Sequence, residues 1–556
     1  WISPSLPYLE PAGVYASDGA RSFTKRLIFS AWNVVPKTIA SLVSYDMERR
    51  AVQADPSAAA QDKKYDSSSQ SAPLGFGWDS ARNAPRNLPN LTVIYPSVVL
   101  ARIGDPLTIA KDGGHSLPLD PETYGMLVHD RIAKLLAQAG VRTQHGGDGA
   151  RRRWYGVAPF ILDRVEAAQE GWPADLPMRA WSDRQDGSRL ADHALWAREG
   201  IAAMEEAFGP PPEDLASVLT AIAAAGPGVC ALRSITRSDD SEGAHYDPEV
   251  RAHALNAALG LRNLFNRPTI VSVVRGATED SGADADSYWR QVLRYCFDGN
   301  LQAVLDEYCH MLKGAGLETQ APAERAEILA RRIHESASIR TAQNAVHHFK
   351  LGGGMAQADV HHLKSHIAAR FGRAATSDEA SNREATVREG FNSPFWPFVL
   401  ASTSVGQEGL DFHTYSHAVV HWNLPSNPVD LEQREGRVHR FKGHAVRRNV
   451  ADEHGSAAIG EGGDPWTRMF DAAEAARPDG DSLLDPYWVK TGAAAIERYV
   501  PAMPLSMESR RYSSLVRTVG AYRYVMGQPR QEEFIRYLGP HAEDLKIDLS
   551  PPEFRE

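Results

Sequence analysis

ASTSVGQEGLDFH, from Ala401 to His413, closes an apolar run (PFVLAS, 397–402) that reads as a β-strand. A loop of this composition at a strand's carboxyl end suits a polyanion. Gly406 and Gly409 let backbone N–H groups come close to an anion, while the hydroxyls of Ser402, Thr403 and Ser404 bond phosphate oxygens. Asp411 adds an acceptor for a ribose hydroxyl or for a nearby arginine.

Downstream, AVVHWN (418–423) reads as another strand and Pro428–Phe441 as a helix containing DLEQREGRVHRF from Asp430. On a continuous helix Gln433, Arg437 and Arg440 fall at about 0°, 40° and 340°, so that one narrow face carries two guanidiniums. The planar, permanently charged fork of arginine matches a phosphate losing its terminal group. Taken alone, such a helix is usually a solvated face and such a loop merely a loop. Their order within about 45 residues is what gives them weight.

Upstream, HIAARF (366–371) reads as a strand and Asp378–Gly390 as a helix; far earlier KRLIFS (25–30) and Val35–Arg50 form another strand and helix. These pieces predict an α/β fold, a parallel-sheet lobe assembled from residues 21–50 and 340–455 and interrupted by a large, mostly α-helical insertion. Residues 51–86, rich in Ser, Ala, Asp and Pro, read as a linker. Residues 87–339 form the insertion, with helical spacing over Thr123–Ala139, Leu190–Phe208, Asp214–Ala225, Asp247–Phe265, Asp286–Leu312 and Pro322–Ser338. A turn at Asp298-Gly299 divides the fifth segment. Residues 1–20 read as an N-terminal remnant and 456–556 as a C-terminal accessory region without an interpretable motif.

With 43% hydrophobic and 23% charged residues, the 556-residue chain has the makeup of a soluble globular protein of several domains. No apolar run is long enough for a bilayer and no signal peptide is visible, which predicts no membrane partner and a cytoplasmic location. A net charge of −10 argues against coating nucleic acid by bulk electrostatics, although a local basic track can bind it on an acidic protein. The start at Trp1 suggests that upstream sequence has been cut away. Cys230, Cys296 and Cys309 show no ligand rhythm and read as core residues. His347, His348, His361, His362 and His366 cluster, but no carboxylate or cysteine pattern accompanies them, so no metal site is assigned. Arg151-Arg152-Arg153-Trp154-Tyr155 pairs charge with stacking groups, as a nucleic-acid strand would require, or forms a solvated loop.

The order of motifs resembles the second RecA-like lobe of superfamily-2 helicases: KRLIFSAWN is similar to the fourth motif, STSVGQEGLDF to the fifth and QREGRVHR to the sixth. Within that superfamily NLPSNPVDLEQREGRVHR, from Asn423, looks most like Swi/Snf-type and RapA-like translocases, mostly duplex-DNA motors. The resemblance implies that Arg437 and Arg440 are arginine fingers and that Gln433 is an interlobe or nucleotide contact. It also implies nucleotide contacts from Gly409, Asp411 and Arg434, and nucleic-acid contacts from Ser402, Thr403, Ser404 and Ser30. ATP and Mg2+ are the implied cofactors, held mainly by a missing N-terminal lobe, because the sequence contains no G-x4-GK-[ST] loop and no DEAH-like motif. Two departures stand out: Phe441-Lys442-Gly443-His444 where Swi/Snf-type motors usually have Ile-Gly-Gln, and Gly-Leu-Asp where they commonly have Gly-Leu-Asn. The expected activity is that of an ATP-dependent DNA helicase or translocase. The alternatives are an RNA helicase, or a non-catalytic nucleic-acid-binding scaffold whose helical insertion recruits a protein partner.

Overall fold

The computed structural model describes residues 1–55, 72–81, 83–141, 148–171, 189–201, 210–238, 243–277, 288–339, 342–350, 357–371, 378–403, 410–478, 482–502 and 504–525. Its main sheet contains β1 (Arg26–Phe29), β2 (Ala368–Phe371), β3 (Val399–Ser402), β4 (Ala418–His421) and β5 (Glu497–Tyr499) in the order β2-β3-β1-β4-β5. Every pairing is parallel, with Phe29 opposite both Ser402 and His421. Parallel neighbours cannot be joined by tight turns, so each connection crosses a face of the sheet. Helix α1 (Val34–Ala54) covers one face, where Ser44 Oγ donates to Ala368 O at 3.3 Å and accepts from Ala368 N at 3.1 Å. On the other face Leu27, Phe29, Leu400 and Val419 pack against Phe391, Phe412 and Val438. The sheet agrees with the expected α/β lobe and is compatible with a RecA-like fold.

The chain between α1 and β2 is mainly helical. Within it, α2 (Pro248–Phe265), α3 (Leu301–Leu312) and α4 (Pro322–Ala337) belong to the largest hydrophobic core. Several helices begin with Asp followed by Pro: Asp105, Asp120 and Asp247 each accept a backbone N–H from the first turn, and the proline sits where no donor is needed. Helix α2 approaches α4 so closely that a Cβ at Gly260 would lie 2.4 Å from His334 Cα. The segment predicted over 286–312 is two helices, divided at Asn300, whose φ of 53° turns the chain. Cys230, Cys296 and Cys309 are buried free thiols. Trp154 and Tyr155 lie in a helix, Asp148–Glu170, and are buried in the core, which leaves no exposed loop there for stacking. Among the described residues no single helix is long and apolar enough to cross a membrane.

After β2 come α5 (Asp378–Phe391), β3, β4, α6 (Pro428–Gly436), α7 (His444–His454) and α8 (Pro465–Ala475). The structure corrects the sequence reading in three places. An antiparallel hairpin, Ala342–Lys350 with Gln357–Ser365, precedes β2 where no element was expected. Past residue 455 the sheet gains β5, which pairs with β4 from within the region read as accessory. Helix α6 stops at Gly436 instead of continuing to Phe441, because the Arg437 carbonyl accepts from Phe412 N at 2.9 Å and Val438 enters the core under the sheet.

One buried ion pair joins the helical region to the lobe. Glu307 on α3 and Arg447 on α7 are no more than 1% exposed, and Arg447 Nε donates to Glu307 Oε1 at 2.8 Å. Arg447 also donates to the carbonyls of Lys442, at 2.7 Å, and Thr414, while Glu307 accepts from Ser5 N and Oγ, each at 2.8 Å. Removing one member of such a pair strands a buried charge. Glu307→Ala is expected to lower stability in equilibrium urea unfolding by about 3–5 kcal/mol, and Glu307→Leu with Arg447→Met to recover most of it. A loss below about 1 kcal/mol in the single variant would show that the junction rests elsewhere.

Candidate functional site

At the carboxyl edge of the sheet the ends of three strands are tied together. Ser30 N donates to Ser402 O at 3.0 Å and Trp422 N to Phe29 O at 2.9 Å. The Ser30 hydroxyl donates to Asn423 Oδ1 at 3.0 Å and accepts from Trp32 N at 3.1 Å, and Asn423 Oδ1 also accepts from Ala31 N at 3.2 Å. Ser30 is therefore engaged in holding the edge. Ser402 is 3% exposed and Thr403 is half-buried, while Ser404, Gly406 and Gly409 lie outside the described residues. Asn423 opened a quoted motif yet drew no role from sequence, since a lone asparagine after a strand has no distinguishing pattern.

The arginine segment differs in geometry from the expectation. Because α6 ends at Gly436, Gln433, Arg437 and Arg440 do not share one helical face. Gln433 is exposed, Arg437 is 6% exposed, and Arg440 lies beyond the end of the helix. Arg434 and Arg437 hold their guanidinium carbons 5.4 and 5.8 Å from the centre of the Phe29 ring, at the last residue of β1. Arg434 Nη1 donates to Asn423 O at 3.0 Å, and burial lowers its pKa. Arg440 Nε donates to Asp411 Oδ1 at 2.7 Å, an ion pair with side chains 35% and 44% exposed. The loop after β3 and the segment after α6 thus meet through a carboxylate and a guanidinium. The basic groups here differ in access: Arg434 and Arg437 are shielded over the Phe29 ring, and Arg440 is closer to solvent, paired with Asp411.

Below that pair the chain returns toward β4 through buried imidazoles. His417 Nδ1 and His444 Nδ1 approach to 3.0 Å, with Thr24 Oγ1 3.2 Å from His444 Nδ1. Burial is the main cause that pushes His413 and His417 down to about 4 and His444 well below its ordinary value; nearby arginines add to it for all three. His366, by contrast, sits 3.0 Å from Glu48 on α1 and against the Trp396 ring. The backbones of His347, His348, His361 and His362 belong to the hairpin. The unfolded chain takes up protons at His413 and His417 near pH 6.5, whereas the folded chain refuses them there until near pH 4. Their contribution is complete above pH 6.5 and is lost as pH falls toward 4. Urea midpoints measured across that window should decline, and His417→Asn should make the decline shallower by about one proton. An unchanged slope would mean that these imidazoles are not kept neutral by the fold.

Residues 355–442 match the helicase conserved C-terminal domain. The match spans α5, β2 to β4, α6 and the segment carrying Asp411, Arg437 and Arg440, and it supports a superfamily-2 helicase C-terminal lobe. No curated protein and no solved structure matches the chain.

Proposed function

We propose that this chain is the C-terminal half of an ATP-dependent nucleic-acid motor, acting with a partner lobe that carries the phosphate-gripping loop. The observation that carries the reading is the pairing of Asp411, directly after the Ser/Thr/Gly loop, with Arg440, directly after the arginine helix, inside the matched region. In this reading ATP lies between the partner lobe and the carboxyl edge of the sheet. Arg437 and Arg440 stabilise the charge that develops on the departing γ-phosphoryl group. Asp411 holds Arg440 in place or turns to a ribose hydroxyl, Gln433 and Arg434 sit beside the nucleotide, and Ser402, Thr403 and Ser404 meet the nucleic-acid backbone. Closure of the two lobes at each turnover then shifts that grip along the strand.

Magnesium would rest on the partner lobe. Among the described residues no group of three His, Cys, Asp or Glu side chains could hold a metal ion. The Leu-Pro-x-Asn-Pro turn at 424–428 before the arginine helix favours a Swi/Snf-type or RapA-like translocase, hence duplex DNA as the polymer. One observation favours a second reading, a non-catalytic nucleic-acid-binding scaffold: Arg437 is 6% exposed and must leave the Phe29 ring to meet a nucleotide.

In a protein joining this chain to its ATP-binding lobe, Arg437→Ala or Arg440→Ala is expected to cut nucleic-acid-stimulated ATP hydrolysis by roughly 10³-fold or more. Thermal stability of the Arg440 variant should change little, since exposed ion pairs contribute about 0–1 kcal/mol. Unchanged turnover removes the motor assignment, and nucleic-acid binding without any stimulated turnover favours the scaffold. Comparing duplex DNA, single-stranded DNA and RNA as stimulators identifies the polymer.

A further inference from the structure

A cavity of about 360 Å³ opens where α3 and α4 face the end of α5 and the chain just past Asp411. Its helical wall is apolar, supplied by Leu312, Leu317 and Ile328. The opposite wall is polar and incompletely satisfied. Two of its charged groups are already matched: Glu389 is paired with Arg332, and Asp411 with Arg440 at 2.7 Å. Arg388, also in the lining, has no ion-pair partner among the described residues, so its guanidinium is the lining cation left to meet a guest.

Two buried polar atoms at the same wall lack hydrogen-bond partners, Asn392 Oδ1 and His413 Nδ1. The orientation of the Asn392 amide is fixed, because its Nδ2 donates to Asp411 O at 2.8 Å, which leaves Oδ1 waiting for a donor. Buried polar groups in folded proteins are mostly hydrogen-bonded, so an unmatched pair at one cavity wall is suited to a guest or a water. The volume lies at the lower end of the range for small-molecule sites and far exceeds the roughly 30 Å³ of one water. A cation without an ion-pair partner, a free acceptor and an apolar back wall specify a complementary guest.

We infer that this cavity binds a small organic anion with an apolar body, its anionic group on Arg388 and a hydrogen-bond donor on Asn392 Oδ1. The inference goes beyond the motor reading and does not depend on it. Asp411 lines the cavity and also holds Arg440, so a guest there lies one side chain away from the candidate arginine finger.

The test uses the full chain and the dye 8-anilinonaphthalene-1-sulfonate, whose sulfonate, N–H and fused rings match those three features. Fluorescence titration is expected to reveal a saturable site that Arg388→Gln weakens by about 10-fold or more, the loss of one charge-assisted hydrogen bond, with Arg388→Lys intermediate. Ile328→Trp, which fills the cavity, should remove the same component. Arg388 is half-buried at a helix end, so its variant is expected to keep the wild-type thermal midpoint and decides the matter if Ile328→Trp fails to fold. A second, mostly apolar cavity of about 330 Å³ beside Arg290 is the competing site that the test must separate. Binding that survives Arg388→Gln undiminished, or that disappears only in Arg290→Gln, overturns the assignment.

Discussion

The contact between Arg447 and Glu307 is the constraint on which the arrangement of the molecule depends. It joins residues 140 positions apart, in a helix of the inserted region and a helix that follows the arginine segment. A guanidinium with so little exposure needs most of its donors satisfied, and here the acceptors come from Glu307, from the Lys442 carbonyl and from the Thr414 carbonyl. Those carbonyls belong to the two stretches that carry Asp411 and Arg440. One buried cation therefore fixes both candidate site segments against the helical region, and the cavity beside Asp411 is a consequence of that docking.

Just after Arg440, Phe441 and Lys442 extend the same junction. Phe441 stacks on Tyr487 at 5.4 Å, and the Lys442 ammonium lies 4.5 Å from the Phe470 ring centre and 3.1 Å from His310 Nε2. His310 Nδ1 is 2.7 Å from Asp464, which caps α8, and despite its burial Asp464 is held down to about 2, chiefly by His310. Lys442 adopts a φ of 49°, unusual for a side chain with a Cβ, which lets its N–H reach Tyr487 O at 2.6 Å. The Phe441-Lys442 stretch thus has a local physical use, fastening α3 and the C-terminal region to the end of the arginine segment.

Legibility followed the range of the interactions. The strands at 26–29, 368–371, 399–402 and 418–421 were readable because each is a short apolar run between polar loops, and the long helices because their apolar spacing is local. Strand β5 was not, since Glu497–Tyr499 is a three-residue polar edge strand whose identity comes from pairing with Ala418–Val420. The end of α6 was misread for a related reason: QREGRVHR has helical spacing throughout, and only tertiary contacts of Arg437 O and Val438 end the helix at Gly436. Sequence placed Asp411, Arg437 and Arg440 near one another through the order of their motifs. It had no access to the roles of Asn423 or Arg447, whose contacts reach across the fold from residue types that carry no pattern.

On the motor reading, the two arginines start from unequal positions. The Arg440 pair with Asp411 is half open to solvent, so releasing it costs about 1 kcal/mol or less. Arg437 is shielded over the Phe29 ring, and the carbonyl of the same residue is fixed by Phe412 N, so its side chain must move while its backbone stays. Leaving an aromatic face from a desolvated position costs on the order of 2 kcal/mol, a tenfold or larger bias toward the stored state. An arriving phosphate is the natural counterweight, because a charge-assisted contact to it contributes more than the ring does. In that case Arg440 would engage first and Arg437 only as the lobes close, which ties full assembly of the site to the presence of the terminal phosphate.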